Sequence, residues 1–261
     1  MSSFDLLNAA IAAAERAAAF LRTARRPDGP AAWTVKDQRD FVTEVDRTSE
    51  RLVTEVLTGR TPAGRVVGEE LNPALVRDGL VWIVDPLDGT TNFLHGIPAW
   101  AVSIAAAVDG VLQAAVVLDV PRGERFDAVR SGGAHLDGHA LRVSSIADPA
   151  FAVIGTGFPF KEVAQLGVYQ RQFAAVAAAT SGIRRPGAAA IDLAWVAAGR
   201  FDGFWELALA PWDLAAGALL VREAGGVVTD LEGGDDILRH TGIVAGNPAM
   251  HVWLRSVTQP D

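Results

Sequence analysis

The chain has 261 residues, half of them apolar, with no cysteine and a formal net charge of −8. The missing cysteines exclude disulfides, thiolate metal sites and thiol nucleophiles, so any metal must sit on oxygen or imidazole. The acidic balance argues against nucleic acid as the main substrate, because affinity for a phosphate backbone comes from clustered Lys and Arg.

In chain order, Phe4 to Arg25 carries Leu6, Leu7, Ala10, Ile11, Ala14, Ala17, Ala18 and Leu21 at helical spacing and predicts an amphipathic helix. Asp5, Glu15 and Arg16 break its apolar run too often for a signal segment. Pro27, Gly29 and Pro30 end it, and a second helix is expected over Arg47 to Thr58. Val66 and Val67 form a short strand before Gly68-Glu69-Glu70. Leu80 to Val84 is a continuous apolar run that reads as a strand buried on both faces, ending at Asp85. Trp100 to Val108 and Val111 to Asp119 read as a hairpin closed by Asp109-Gly110. Shorter strands are expected at Arg125 to Arg130 and Ala140 to Val143.

The second half alternates, with strands at Ala150 to Thr156, Gly203 to Glu206 and Gly226 to Thr229. Between and after them come helices at Leu166 to Thr180, Ala189 to Ala198, Asp213 to Ala224 and Pro248 to Val257. A turn from Gly157 to Lys161 precedes the first of these helices. The expected organisation is an N-terminal α+β lobe over residues 1–145 and a C-terminal α/β lobe over 146–261, joined near Ser145 to Pro149. No run approaches the roughly 20 consecutive apolar residues that a membrane helix needs. A membrane partner is therefore not expected, and the cytoplasm is the expected location.

The strongest local signal is Asp85-Pro86-Leu87-Asp88-Gly89-Thr90-Thr91-Asn92, where a buried strand gives way to a turn. Pro86 restricts the chain so that Asp88 can face the same point as Asp85, an arrangement suited to a metal. Gly89 permits close backbone approach, and the N–H groups that follow can hold a phosphate. The plainer reading is a strand and a capped turn. A phosphatase of the haloacid-dehalogenase type would need its two acids two residues apart, and here the spacing is three. Glu69 and Glu70 can also be read as a solvated pair, Asp46 and Asp213 as helix caps, and Glu206 as a surface charge.

Taken together the segments resemble the inositol monophosphatase family over nearly the whole chain and in the right order. They are D-F-V-T-E-V-D at Asp40 to Asp46, G-E-E at Gly68 to Glu70, W-I-V-D-P-L-D-G-T-T-N-F at Trp82 to Phe93, and W-D-L-A-A-G at Trp212 to Gly217. The stretch Gly132 to Gly138 resembles a family turn, with Ser131 and Asp137 as departures expected to be structural.

The resemblance implies a layered α-β-α-β-α sandwich, a homodimer, and a phosphate monoester hydrolase that binds two or three Mg²⁺ ions, with Mn²⁺ a possible substitute. Glu69, Asp85 and the Leu87 carbonyl would hold the first ion, and Asp85, Asp88 and Asp213 the second. Glu69 would also help with a looser third. Two carboxylates ~4 Å apart repel by roughly 4 kcal/mol at an effective dielectric of 20, so such a cluster takes up protons or cations. Thr90 and Asp46 would take the proton of the attacking water, and the N–H groups of Gly89 and Thr90 would hold phosphate oxygens.

The substrate implied is a small phosphorylated polyol, inositol 1-phosphate first, with Glu206, Asp88, Asp213, Gly187 and Ala188 around it. Ala188 stands where inositol-specific members often carry a hydroxyl. The family also includes phosphatases for histidinol phosphate, fructose 1,6-bisphosphate and 3′-phosphoadenosine 5′-phosphate, and some bacterial members serve in transcription or RNA-processing complexes. Arg184 and Arg185 are candidates for a second anion, although exposed Arg pairs are commonly solvated. His95, His135, His139, His240 and His251 show no ligand spacing, and the Trp residues read as core.

Overall fold

Alternation along a few Ala- and Val-rich strands decides how the layers stack. The computed structural model describes residues 1–26, 29, 34–37, 40–160 and 162–259. Pro27, Pro30 and Lys161, expected at a helix end and in a turn, lie outside the described residues.

Helix α1 (Ser3–Thr23) starts at a capping box in which Ser2 and Asp5 satisfy each other's backbone N–H. A short hairpin of β1 (Thr34–Asp37) and β2 (Asp40–Val42) precedes α2 (Glu44–Arg60). A seven-stranded sheet follows in simple sequential order: β3 (Arg65–Gly68), β4 (Leu80–Asp88), β5 (Ala101–Val108), β6 (Val111–Asp119), β7 (Glu124–Val129), β8 (Gly133–Leu136) and β9 (His139–Ala140). Only β3 and β4 pair in parallel; the rest are antiparallel. Helix α3 (Thr90–His95) interrupts the run after β4. The second sheet, in the order β11-β10-β12-β14-β13, is built from β10 (Val153–Thr156), β11 (Gly182–Arg184), β12 (Gly203–Leu209), β13 (Val227–Asp230) and β14 (Thr241–Gly246). Its helices are α4 (Leu166–Ala179), α5 (Ala189–Ala197), α6 (Pro211–Glu223) and α7 (Pro248–Thr258).

Val81 and Ile83 of β4, with Ala101, Ala105 and Ala107 of β5, face a core shared with α5 and α6. Trp82, Val84, Val102, Ile104 and Ala106 face the opposite core under α1 and α2, as the period of two requires. Helices α5 and α6 lie between the two sheets, while α4 and α7 cover the far face of the second sheet. The result is the expected α-β-α-β-α sandwich.

Several boundaries differ from the sequence reading. Strand β4 continues through Pro86 to Asp88, with a bulge between Asp85 and Asp88 where its pairing with β5 shifts. Helix α2 begins at Glu44, so Asp46 sits inside its first turn. Of Ala140 to Val143 only Ala140 lies in a strand; the pairing residues are Gly133–Leu136 and His139–Ala140. The first part of Ala150 to Thr156 is a 3₁₀ turn, Pro149–Phe151, whose Asp148 cap holds the Ala150 N–H. Strand β14 escaped sequence reading because only Ile243, Val244 and Ala245 separate its glycines. The Asp109-Gly110 turn is as expected, with φ of 48° and 77° at the two positions. Ser131 and Asp137 also adopt positive φ, 59° and 49°, which accounts for short polar residues at those turns.

Candidate active site

Where the two sheets meet, a cavity of about 1050 Å³ is lined by Glu69, Asp85, Leu87, Asp88, Gly89, Thr90, Gly187, Ala188, Glu206 and Asp213, among others. All the expected site residues except Asp46 therefore reach one cavity, and Asp46 is linked to it through Thr90. Arg185 and His240 also line the wall, so one of the histidines set aside on spacing borders the site.

Strand periodicity delivers Asp85. It follows Val81 and Ile83 on the face toward α6, is 1% exposed, and accepts a hydrogen bond on Oδ1 from the Leu87 N–H at 3.0 Å. The bulge then re-aims Asp88, whose Oδ2 accepts from the Ala190 N–H at 2.8 Å and so ties the start of α5 to this strand. Gly89 has φ of 89°, and a Cβ there would stand 2.8 Å from the Ala99 carbonyl oxygen. Asn92 secures the opposite wall by donating to the carbonyls of Ala99 and Pro186 at 2.6 and 2.9 Å.

Glu69 is placed by a residue that sequence reading missed. The buried Glu50 of α2 accepts hydrogen bonds from the N–H groups of Glu70 and Leu71 at 2.8 and 3.0 Å. Its carboxylate lies so close over Gly68 that a Cβ on that glycine would collide with Oε1. Beside it, Ser49 donates to the Pro86 carbonyl at 2.8 Å. Consecutive polar residues on a helix, one reaching each acid-bearing segment, were the available signal. Glu50→Ala strands two backbone donors and is expected to cost about 2–4 kcal/mol, measured by denaturant unfolding. It should also reduce activity by releasing Glu69, and a change below about 1 kcal/mol would show that Glu50 does not anchor the turn.

Asp46 and Thr90 form a relay. Asp46 Oδ2 accepts from the Thr43 N–H and hydroxyl at 2.9 and 2.6 Å, closing the N-terminal box of α2. Its Oδ1 accepts from the Thr90 hydroxyl at 2.8 Å, and that hydroxyl also lies 3.1 Å from the Leu87 carbonyl. Burial pushes the Asp46 carboxyl above its usual range, against the lowering effect of the Thr43 and Thr90 hydrogen bonds. Asp46 is thus not the cap that precedes α2 but a buried acceptor within its first turn.

On the other side, Asp213 sits in the first turn of α6 and accepts from the Ala210 N–H at 2.7 Å, with Pro211 opening the helix. Ala210 has no side-chain acceptor, so the cap comes from Asp213 alone. Glu206 packs directly over Gly157, where a Cβ would overlap its Oε1, so the strand-end acid requires a glycine beneath it. Between these acids Ala208 takes a positive φ of 57°, at a break in the pairing of β12 with β14. A left-handed alanine costs about 1–2 kcal/mol, strain stored at the cavity wall. Arg185 stacks over Phe158 and Phe160 at 5.2 and 5.6 Å from the ring centres, whereas Arg184 turns back to the Ile183 carbonyl.

Electrostatically the acids form one group. Burial, and then the charges of Glu69, Asp88 and Asp213, hold the Asp85 carboxyl well above the usual carboxylate range. Such a group takes up either a proton or a cation, and its all-oxygen chemistry suits Mg²⁺, Mn²⁺ or Ca²⁺. Among the described residues, no three His, Asp or Glu side chains enclose a ready-made ion site. The four acids nonetheless line one cavity and present only oxygen donors. The donor set therefore fits a hard divalent cation in kind. Among the described residues no helix is long and apolar enough to cross a membrane.

The family model described as the inositol monophosphatase family matches residues 4–259. A Pseudomonas aeruginosa protein named Nus factor SuhB is 45% identical over 98% of this chain and 96% of its own. An inositol-1-monophosphatase of Rhizobium meliloti is 47% identical over 87% of this chain and 85% of its own. The crystal structure of the extragenic suppressor protein SuhB from Bartonella henselae superposes with a TM-score of 0.90 at 42% identity, covering 97% of both chains.

Proposed function

The chain belongs to the inositol monophosphatase family, whose members are phosphatases, and from this premise we propose that it hydrolyses the phosphate monoester of a small polyol, inositol 1-phosphate first, with Mg²⁺ as cofactor. The observation that carries the reading is that Glu69, the buried Asp85, Asp88 and Asp213, drawn from distant parts of the chain, line one cavity. Glu69, Asp85, Asp88, Asp213 and the Leu87 carbonyl would hold the ions. Bound cations supply positive charge against the phosphate and the leaving oxygen.

The chain's own groups do the rest. The Thr90 hydroxyl gives its hydrogen to Asp46 Oδ1, which leaves Thr90 Oγ1 as an acceptor for the proton of the attacking water. Burial raises the basicity of Asp46 toward the range useful to a general base. Oxygen from water then bonds to phosphorus, the phosphorus–oxygen bond to the polyol breaks, and the departing alkoxide takes a proton from solvent. The N–H groups of Gly89 and Thr90 steady the phosphate, while Glu206, Asp213 and the backbone at Gly187 and Ala188 border the space left for the polyol. A homodimer belongs to the same proposal and rests on the family alone.

The test is release of inorganic phosphate from inositol 1-phosphate by the purified chain, with no added partner, as Mg²⁺ is titrated. Saturable, Mg²⁺-dependent release is expected, abolished by a chelator. Failure to cleave that ester or any ester in a panel with fructose 1,6-bisphosphate, histidinol phosphate and 3′-phosphoadenosine 5′-phosphate would overturn the reading. A second reading has one observation in its favour, the relatives named Nus factor SuhB. In it the chain also joins a transcription complex, a role that a variant lacking phosphatase activity would keep.

A further inference from the structure

Cations line the cavity beside its acids, and the hydrolysis above uses none of them. They are Arg77, Arg185, Arg239 and His240. Three already face an acid: Arg77 donates to Asp236 at 2.8 Å, Arg239 donates to Asp230 at 2.7 Å, and His240 lies 4.0 Å from Glu162. Arg185 is exposed and, among the described residues, has no carboxylate within ion-pair distance. Its guanidinium is braced instead by the rings of Phe158 and Phe160, 5.2 and 5.6 Å from their centres. A stacked guanidinium still presents its N–H fork in its own plane, and a fork held in one orientation loses less freedom when it captures an anion.

Gly187 shows where that fork lies. A Cβ on this glycine, whose φ is 94°, would stand 2.5 Å from Arg185 Nη1 and 3.1 Å from Asn92 Nδ2. The guanidinium therefore rests against the backbone that borders the polyol space. One residue on, the Ala188 Cβ would meet a Cβ on Gly89 at 3.3 Å, so the turn that steadies the ester phosphate flanks the same short segment. A substrate held at Gly89 and Thr90 thus has Arg185 close to its carbon skeleton, and a cavity of about 1050 Å³ leaves room for a further group. A hydroxyl offers this cation one neutral acceptor, whereas a second phosphate offers charge and two oxygens that match the fork.

We propose that Arg185, braced by Phe158 and Phe160, is the receptor for a second phosphate on the substrate, so that a bisphosphorylated polyol is preferred to the matching monoester. The inference rests on the phosphatase reading and deepens it by naming the substrate class. A plainer role exists. Burial first, and then the charges of Glu206 and Asp88, hold the carboxyl of the buried Asp192 well above the usual range, and Arg185 acts in the opposite sense. A cation that served only to balance Asp192 would affect every substrate equally.

The experiment measures kcat/KM on two matched pairs, inositol 1,4-bisphosphate with inositol 1-phosphate and fructose 1,6-bisphosphate with fructose 1-phosphate. It compares the wild-type chain, Arg185→Met, Arg185→Lys and Arg184→Met, the last removing the same charge from a side chain that turns back to the Ile183 carbonyl. The ratio of bisphosphate to monoester is independent of the fraction of protein that folds. In the wild type it should be about tenfold or more in at least one pair, the scale of a charge-assisted hydrogen bond. Arg185→Met should abolish that preference through KM, Arg185→Lys should keep part of it, and Arg184→Met should keep it whole. No preference in the wild type, a preference that survives Arg185→Met, or an equal loss in Arg184→Met would overturn the assignment. If the wild type cleaves none of the four esters, the hydrolase reading fails separately. Calorimetric binding of the same four esters with Mg²⁺ then decides the Arg185 contact, with a bisphosphate bound about tenfold tighter than its monoester by the wild type but not by Arg185→Met expected, and equal affinities overturning it.

Discussion

Asp85→Asn should lower Mg²⁺-dependent phosphate release by on the order of 10²–10³-fold or more, the scale of loss when one group that gathers transition-state charge is removed. The substitution keeps the shape of the side chain, so the new amide oxygen can still accept from the Leu87 N–H while the charge is gone. Fold stability should move the other way. In wild-type protein without divalent cation, Asp85 has a raised folded-state pKa. The folded state therefore keeps a proton that the unfolded chain has lost, and stability falls as pH rises from the ordinary Asp range toward that raised value. The Asp85→Asn variant lacks this penalty and should melt higher than wild type at neutral pH when both are cation-free, with less dependence on pH. Added Mg²⁺ should stabilise wild type increasingly as pH rises and the variant far less. Retention of more than about a tenth of the wild-type rate would contradict the role given to Asp85.

Thr90→Ala should lower kcat by about 10²–10⁴-fold, the usual contribution of a positioned proton acceptor, and leave KM and the Mg²⁺ requirement little changed. The reason is the contact of 2.8 Å with Asp46, which orients the hydroxyl without supplying charge to an ion. Thr90→Ser keeps the hydroxyl and should recover much of the rate. If alanine and serine were equally impaired, or if both lost Mg²⁺ affinity instead, Thr90 would be part of the ion site and not of the proton path. Steady-state kinetics across a Mg²⁺ titration separates these results.

Much of this was legible in the sequence because it rests on short-range rules. Leu80 to Val84 announces a buried strand, and the period of two that carries Val81 and Ile83 inward carries Asp85 with them. Asp109-Gly110 specifies a tight turn with no reference to the rest of the chain. What escaped depends on distant partners. Glu50 looks like one more helical charge until the turn at Gly68 closes over it, and its importance comes from N–H groups twenty residues away. Asp192 sits in an Ala-rich helix whose burial is decided by two sheets at once. Strand β4 overran its apparent end because pairing with β5 resumes at Asp88, past a proline that local rules read as a stop. Strand β14 is held by neighbours on both sides, β12 and β13, which glycine-flanked composition does not advertise.

The most direct measurement is anomalous diffraction from crystals soaked in Mn²⁺, which marks each divalent ion by position. Strong peaks are expected within ligand distance, about 2.0–2.3 Å, of Asp85 oxygens, with Glu69, Asp88 and Asp213 completing their shells. Peaks confined to other acids, or none in the cavity at a concentration that supports phosphate release, would show that the carboxylates gather for some other purpose.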